Sequence, residues 1–289
     1  MIVLTKRILS VLAHPDDESF GMGGTLAKCA SEGVKVTLIC ATRGEAGEVD
    51  PECLVGYDSI ADLRVHELNC AAKALGIENV HLLSYRDSGM TGSVDNEHPR
   101  ALINAPLDEV AGKIAEYIRE IKPQVVLTFD PVGGYRHPDH IFINRATTKG
   151  VSLARDPEFE SSSPPYQPSR LFYHTIPRRF IRFNVRLLRM LGKDPSKYGK
   201  NQDIDLTQLA EDDFPIHARI SYGPYHSAKL AASACHASQG GRGLTRGPMR
   251  LFAWLFGGRA QDQFMQAYPP IGENKVPVRD DLFAGIDTG

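Results

Sequence analysis

Short apolar runs alternate with longer amphipathic segments through the first half of the chain. Four runs have the length and apolar content of buried strands, at residues 8–13, 34–41, 80–84 and 124–129. The segments between them have the composition and apolar spacing of helices, at residues 21–31, 60–75 and 106–121. This alternation predicts a Rossmann-like α/β fold, in which a mostly parallel sheet carries helices on both faces.

The pattern becomes less regular after about residue 155. We expect a serine- and proline-rich loop, a strand, an arginine-rich helix, a late helix and an irregular tail. They lie at residues 161–165, 170–176, 178–190, 225–238 and around Pro269 and Pro270. We therefore predict one domain over residues 1–289, with a core at 1–155 and a C-terminal lid or pocket-forming portion at 156–289.

The predicted helix at residues 178–190 carries five arginines among aliphatic and aromatic residues. One interpretation is a packing or lid helix with a solvated basic face. The other is a contact with an anionic ligand or a membrane surface. We favour the packing helix because the rest of the chain has no basic bias.

Composition limits the classes of partner. The chain has 289 residues, 42% of them hydrophobic, and a net charge of −2, as in an ordinary globular protein. We therefore expect neither nucleic acid nor a membrane surface as partner, and no apolar run has the length of a membrane span. The five cysteines lack a C-x-x-C pair, so we expect reduced, buried thiols in a cytoplasmic protein. A homo-oligomer is compatible with the sequence but is not required by it.

Two groups of potential metal ligands follow predicted strands. His14, Asp16 and Asp17 come directly after the first strand, and His137 and His140 follow the fourth in an H-x-x-H spacing. The carboxyl ends of parallel strands share one edge of a sheet, where open α/β sheets bind their ligands. The adjacent carboxylates would also repel each other without a cation between them. The sequence therefore predicts a metal site at this edge.

The candidate residues divide into metal ligands and proton-transfer groups. The predicted ligands are two histidines and one carboxylate, His14, Asp17 and His140. Such a set suits Zn²⁺ and leaves one position open for water, although Fe²⁺ is also accepted. Asp16 remains as a general base beside that water. His137 is expected to donate to a developing oxyanion or a leaving nitrogen, with Asp139 orienting its ring.

The paired motifs resemble those of a known family. The stretch H-P-D-D-E at residues 14–18 and the stretch H-P-D-H at residues 137–140 are similar to motifs of the PIG-L/LmbE family of zinc-dependent N-deacetylases. That family includes de-N-acetylases of N-acetylglucosaminyl-phosphatidylinositol and of mycothiol and bacillithiol precursors. The resemblance covers roughly residues 5–150, with weaker similarity to Ser238. It implies the same ligands, the same general base and the same second catalytic histidine.

Three further site residues are implied by the resemblance alone. Arg64 and Asp87 match residues that hold the sugar in the mycothiol-pathway branch, and Tyr135 matches a mobile tyrosine that assists the tetrahedral intermediate. Arg64 has an alternative role, a surface ion pair with Glu67, and Tyr135 has one as an aromatic side chain packed on its loop. Arg136 departs from relatives that have glycine there, which predicts altered loop mobility or added charge at the pocket mouth.

Two other stretches have less specific interpretations. The H-A-S-Q stretch at residues 236–239 resembles a recurring family segment, and we expect it to pack near the pocket. The G-M-G-G stretch at residues 21–24 is not a dinucleotide-binding fingerprint, because it follows acidic residues instead of directly following a strand. We expect it to begin a helix that packs closely on the sheet.

The sequence therefore predicts a hydrolase that removes the N-acetyl group from an N-acetylglucosaminyl-type substrate, giving acetate and a free amine. Its partner would be a small N-acetylated amino sugar. The nearest alternative is the same chemistry on another amide, such as a glucosaminyl thiol S-conjugate. The alternative from another class is a non-catalytic sugar- or nucleotide-binding module, against which the intact set of ligands and base argues.

Overall fold

Seven strands form one mixed sheet in the part of the chain that the computed structural model describes, residues 5–198, 204–245, 260–272 and 277–287. The strands are β1 (Arg7–Leu12), β2 (Lys35–Thr42), β3 (Asn79–Tyr85), β4 (Val125–Phe129), β5 (Arg170–Thr175), β6 (Ala218–Ser221) and β7 (Gln261–Tyr268). Their order across the sheet is β3-β2-β1-β4-β5-β7-β6. The first five are mutually parallel, whereas β7 is antiparallel to both of its neighbours.

Helices fill most of the connections between these strands. They are α1 (Asp17–Phe20), α2 (Gly23–Ser31), α3 (Ile60–Leu75), α4 (Leu107–Ile121), α5 (Gly133–Arg136), α6 (Pro138–Arg155), α7 (Arg178–Met190), α8 (Leu206–Leu209) and α9 (His226–Cys235). Local sequence defines the ends of α3, because the Ser59 hydroxyl accepts from the Asp62 N–H and Gly76 adopts a φ of 74°. α5 is a kinked turn, since Gly134 and Tyr135 depart from helical dihedral angles.

The winding of the chain reverses at β1. β2 and β3 extend the sheet on one side of β1, and β4 continues it on the other. With right-handed crossovers, α2 and α3 cover one face, and α4 and α6 cover the opposite face. β1 is buried on both sides as a result, and Ile8, Leu9 and Val11 are 0% exposed. The gap between the carboxyl ends of β1 and β4 is the switch point at which such sheets bind ligands.

The C-terminal portion adds to the same sheet and packs on one of its faces. β7 alternates exposed and buried positions, and α9 packs against α2 and α3. Gly24 lies so close to the next layer that a Cβ there would come within 2.2 Å of the Tyr222 ring. The G-M-G-G stretch therefore does begin a helix packed closely on the sheet, because Met22 is buried with its Sδ 3.5 Å from the Ser10 hydroxyl of β1. The boundary between core and C-terminal portion stays a prediction.

The Rossmann-like α/β fold is confirmed, and two predictions about the chain are wrong. The tail is not irregular at β7, whose alternating polar residues conceal a half-buried antiparallel strand; β6 was likewise not predicted. Cys70 and Cys235 are not free thiols, because they form a disulfide with Cα atoms 5.8 Å apart. They are 165 residues apart in sequence and meet only through the packing of α3 on α9. Cys29 and Cys40 are buried and free, as expected.

α7 has the predicted bounds and packs against a neighbouring short helix. Its contacts there are Ile181 and Val185 on α7, buried with Leu206 and Leu209. On its other side Phe183 and Met190 are 63% and 84% exposed. The side chains of residues 179 and 180 lie outside the described part of the structure. None of the described helices combines the length and the apolar character that crossing a membrane would need.

Candidate active site

A sharp turn after β1 carries the first motif. His14 is buried at the end of the strand, and Asp17 begins α1. Between them Asp16 has a φ of 123°, a conformation that residues other than glycine rarely adopt. Its backbone N–H donates to Glu18 Oε2 at 3.0 Å, and Glu18 is 0% exposed. A buried carboxylate thus holds the strained residue in place, which is a common arrangement at functional sites.

The second motif begins α6, which follows β4 after the short helix α5. His137 caps this helix, because its Nδ1 accepts a hydrogen bond from the Asp139 N–H at 3.2 Å, and Pro138 takes the first helical position. One turn later His140 stacks on Phe129, with ring centroids 3.9 Å apart and an interplanar angle of 9°. Capping and stacking together fix both histidines at the switch point of the sheet.

Donor atoms of three residues from the two motifs converge. His140 Nε2 lies 3.2 Å from both His14 Nδ1 and Asp17 Oδ1, and Asp17 Oδ2 lies 3.5 Å from His14 Nδ1. A tetrahedral zinc site with bonds of about 2.0–2.1 Å has neighbouring donors about 3.3–3.4 Å apart. The predicted ligands are therefore brought together at separations that fit one metal ion. His137 belongs to the same cluster, with ligand atoms of the three histidines within 4.8 Å of one another.

The structure corrects the predicted role of Asp139. Its Oδ2 lies 3.1 Å from His14 Nε2, and its two oxygens accept hydrogen bonds from the Ser88 N–H and hydroxyl. The carboxylate therefore orients the ring of His14, whereas only the backbone N–H of Asp139 contacts the His137 ring. A carboxylate on the outer nitrogen of a metal-binding histidine fixes the tautomer and raises the basicity of the ring. This contact joins residues 125 positions apart, which motif spacing does not reveal.

Negative charge accumulates around His14. Asp87 Oδ1 lies 3.3 Å from His14 Nε2, on the same side as Asp139. Burial by itself lowers the pKa of His14, but the carboxylates of Asp87, Asp139 and Asp17 raise it well above its usual value. Burial raises the pKa of Asp17, yet His140 and His14 hold it well below the usual range. The cluster therefore favours a cation, and its nitrogen and oxygen donors suit a divalent metal.

His137 has the opposite electrostatic environment. Burial lowers its pKa well below the usual value, and the neighbouring His14 and His140 lower it further. The imidazole is therefore neutral near pH 7. Because its Nδ1 accepts from the Asp139 N–H, its proton sits on Nε2. This tautomer can donate a hydrogen bond to an oxyanion, in keeping with the role predicted for it.

Asp16 is not one of the three predicted metal ligands. Burial raises the pKa of Asp16 to about 6, although the guanidinium of Arg64 opposes the shift. Arg64 Nη2 donates to Asp16 Oδ2 at 3.0 Å, which holds one carboxylate oxygen and leaves the other available. A carboxylate whose pKa lies close to the working pH is suited both to accept and to return a proton.

Arg64 is 3% exposed, so the alternative of a surface ion pair with Glu67 is wrong. Its Nη2 also donates to the Pro15 carbonyl at 2.6 Å, and its Nη1 donates to the Gly44 carbonyl at 2.9 Å. Gly44 has a φ of 73°, and a Cβ there would lie 2.2 Å from Arg64 Nη1. Only glycine permits this approach. Arg64 therefore ties the loop after β2 to the turn that carries Asp16, and it also lies 3.8 Å from Asp87.

Two contacts that the sequence did not predict join the H-A-S-Q stretch to the core near the turn that carries Asp16. His236 Nε2 lies 2.7 Å from Glu18 Oε1, and both residues are 0% exposed. Burial lowers the pKa of His236, but Glu18 raises it above its usual value, so the pair is an ionic contact. Glu67 accepts from the N–H and the hydroxyl of Ser238 at 2.8 and 2.6 Å. The H-A-S-Q stretch was the available signal, and it packs near the pocket as expected.

Tyr135 lies between the motifs and the open space around them. Its ring centroid is 5.0 Å from that of His140 and 5.9 Å from that of His137. Burial raises the pKa of its hydroxyl, which therefore stays protonated and able to donate. Next to it Arg136 has a φ of 69°, and its Nη2 donates to both carboxylate oxygens of Asp212 at 2.9 and 3.0 Å. The added charge at the pocket mouth is therefore paired.

A polar cavity of about 840 Å³ opens beside the cluster. His14, Asp16 and His137 of the motifs line it, together with Arg64 and Asp87. The loop after β2 and the H-A-S-Q stretch complete its walls. The structure thus brings every predicted catalytic and sugar-binding residue to this region, except that the Asp139 side chain faces His14 as described above.

The fold and this donor set define an α/β protein with a candidate metal centre at the switch point of its sheet. Residues 9–151 match the family model PIG-L, described as GlcNAc-PI de-N-acetylase. The chain is 37% identical to a 1D-myo-inositol 2-acetamido-2-deoxy-alpha-D-glucopyranoside deacetylase from Streptomyces avermitilis, over 97% of either chain. It is 35% identical to the Acidothermus cellulolyticus deacetylase of the same name, over 98% of this chain and 96% of that one. The chain therefore belongs to the PIG-L family of GlcNAc-PI de-N-acetylases.

Solved structures with the same fold differ in their chemistry. An N,N'-diacetylchitobiose deacetylase from Pyrococcus horikoshii superposes with a TM-score of 0.60 at 22% identity, over 90% of this chain and 83% of that one. A 4-carboxy-2-hydroxymuconate hydratase from Pseudomonas putida gives a TM-score of 0.61 at 18% identity, over 94% of this chain and 100% of that one. At these identities the likeness concerns the fold alone, and one fold can carry unrelated reactions.

Proposed function

We propose that this protein is a metal-dependent hydrolase that removes the N-acetyl group of an N-acetylglucosaminyl substrate, giving acetate and a free amine. The observation that carries the proposal is the position of Asp16, which is not one of the three predicted ligands but lines the same cavity as Asp17 and His140 and is held by Arg64. A protein that only bound a sugar or nucleotide would have no use for a strained, arginine-held carboxylate next to a metal site. The function named for the curated relatives points to the same reaction.

The proposed ion is Zn²⁺, held by His14, Asp17 and His140. Two histidines and one carboxylate are a ligand set of catalytic zinc sites, with one position open for water or substrate. When bound, the ion supplies Lewis acidity to the amide carbonyl and to the attacking water. Fe²⁺ is the second candidate, because the same donors accept it.

The remaining residues are assigned to proton transfer and charge stabilisation. Asp16 takes a proton from the attacking water, while Arg64 keeps the carboxylate in position through its 3.0 Å contact. The Nε2–H of His137 and the hydroxyl of Tyr135 donate to the oxyanion as it develops. The leaving nitrogen then receives a proton either from Asp16 or from His137. The first route needs one bifunctional residue, and the second needs an acid–base pair.

The polar cavity is the proposed sugar site. Asp87 lines it with a carboxylate that can accept from sugar hydroxyls, and Arg64 lines it 3.8 Å from Asp87. The curated relatives are named for a substrate in which the sugar is attached to 1D-myo-inositol. An inositol aglycone is therefore the first that we propose to test, and a glucosaminyl thiol S-conjugate is the second.

The test is amine release from a panel that contains N-acetylglucosamine, its inositol glycoside and an N-acetylglucosaminyl thiol conjugate. We expect release from the zinc-loaded protein, with the highest kcat/KM on the inositol glycoside. Release from the thiol conjugate but not from the inositol glycoside would favour the amidase alternative. Failure to release amine from any member, with one equivalent of metal bound, would overturn the proposed function.

A further inference from the structure

A second cavity of about 820 Å³ lies on the other side of the metal cluster. Asp16 and Tyr135 line both cavities, so the two meet at the proposed reacting centre. His14 and His137 face the polar cavity, whereas Asp17 and His140 face the second one. The apolar part of its wall consists of Phe20, Met22, Phe129, Ile176, Pro177 and Tyr222.

The ionisable side chains in this wall present little free charge. Burial lowers the pKa of His174 to about 4, which leaves its imidazole neutral near pH 7. Lys229 donates to the Gly21 carbonyl at 2.7 Å and lies 3.4 Å from Asp262. Asp262 in turn accepts from the N–H and the hydroxyl of Thr25. The cation and the carboxylate therefore compensate each other, and the wall suits an uncharged, apolar group.

The planar geometry of an amide explains how one substrate would occupy both cavities. In a planar trans amide the substituent on nitrogen and the substituent on the carbonyl carbon point away from each other. When the sugar lies in the polar cavity and the carbonyl lies at the metal cluster, the acyl substituent is directed away from the sugar. The space on that side is the second cavity.

We propose that this second cavity, which we call the acyl cavity, binds the acyl part of the substrate and admits straight chains longer than acetyl. The inference rests on the proposed function and extends it to an N-acyl amidohydrolase of broader acyl range. A volume of about 820 Å³ is that of a site for a whole small molecule, far more than one methyl group needs.

The expected effect follows from burial of methylene groups. Each buried methylene contributes about 0.8 kcal/mol, equivalent to about a fourfold gain in kcat/KM when the contact is kept in the transition state. N-butyrylglucosamine has two methylenes more than N-acetylglucosamine, so we expect zinc-loaded protein to hydrolyse it with a kcat/KM about sixteenfold higher. N-hexanoylglucosamine should be better still. A steady decline from acetyl to hexanoyl would overturn the proposal.

A variant can locate the effect in this cavity. Ile176→Trp places an indole into the acyl cavity and should lower the ratio of hexanoyl to acetyl kcat/KM at least tenfold. Val55→Trp is the matched control, because Val55 is 82% exposed and lines neither cavity. The control should keep the wild-type ratio. An equal ratio in both variants would contradict the assignment.

A binding measurement keeps the proposal testable without any variant. Hexanoate should bind zinc-loaded wild-type protein at least tenfold more tightly than acetate in a calorimetric titration, and equal affinities would overturn the acyl cavity. If acetyl amides are hydrolysed but longer ones are not, only this inference fails. If no amide is hydrolysed, the proposed function fails, and the hexanoate titration still decides the question of the cavity.

Discussion

The two halves of this molecule contribute different things to one site. The predicted reacting groups all come from the core, from the turn after β1, from α5 and from the start of α6. The C-terminal portion contributes supports and walls, such as His236 behind Glu18 and Ser238 on Glu67. Chemistry is thus placed at the switch point of the parallel sheet, and the later elements hold and enclose it. Changes in the core should therefore abolish turnover or metal binding, whereas changes in the supports should reduce them.

The largest effect on turnover is expected at Asp16, the carboxylate that is not one of the predicted metal ligands. Asp16→Asn keeps the shape of the side chain and an oxygen for Arg64 but removes the base. We expect kcat to fall about 10³-fold, within the range typical of general-base removal, with the zinc content unchanged. The measurement is steady-state amine release together with metal analysis. A kcat within tenfold of wild type would show that another group takes the proton.

The second-largest effect concerns metal affinity and the contact of Asp139 with the predicted metal ligand His14. Asp139→Asn weakens the partner of His14 Nε2, which lies 3.1 Å away. Loss of such an outer carboxylate typically costs 10–100-fold in metal affinity, and we expect a zinc Kd raised by about that factor in a chelator competition.

Asp95→Asn is the control for that experiment, because Asp95 pairs with Arg86 away from the metal cluster. An unchanged zinc Kd in Asp139→Asn, with a lowered kcat, would instead support the earlier expectation that Asp139 acts through His137.

A smaller effect is expected where the C-terminal portion supports the turn. Glu18→Gln keeps the volume but removes the ionic contact with His236 behind Asp16. We expect kcat to fall about tenfold with little change in KM, because only the placement of the base is altered. Glu116→Gln on the exposed side of α4 is the matched control. A change in KM alone would mean that Glu18 acts on substrate binding.

The smallest effect on turnover is expected from removing the disulfide that links α3 to α9. Cys70→Ser removes the disulfide to Cys235 and with it a constraint on the unfolded chain. We expect kcat/KM to stay within about twofold, while the thermal midpoint falls by roughly 4 °C or more. Cys53→Ser, at a free and partly buried cysteine, is the control. Identical midpoints for the two variants would show that the disulfide is absent in solution.

Local features of the sequence predicted the first half of the fold and the residues that lie together at the candidate site. Each motif lies in the connection that directly follows a strand, so the apolar pattern that identified the strands also placed His14, Asp17, His137 and His140. Predictions failed where distant segments meet. Asp139 contacts His14 across the switch point, and Cys70 meets Cys235 through helix packing.

The pattern of apolar residues also does not reveal strands that bury polar side chains on their inner face. β7 buries Asp262 and Gln266 together with Phe264, because Thr25 and the Pro269 carbonyl satisfy the polar groups. Arg64 is a similar case. Its spacing to Glu67 suggests a surface pair on a helix, but backbone carbonyls and Asp16 bind its guanidinium inside the protein.

The most direct test of the central claim is a metal titration followed by amine release. Protein stripped with a chelator is reloaded with zinc in steps, and turnover of N-acetylglucosamine or its inositol glycoside is measured at each step, for wild type and for Asp16→Asn. We expect wild-type turnover to rise from near zero to a plateau at one equivalent, and Asp16→Asn to bind the same equivalent without gaining turnover. Full turnover by the metal-free protein, or by metal-loaded Asp16→Asn, would contradict that claim.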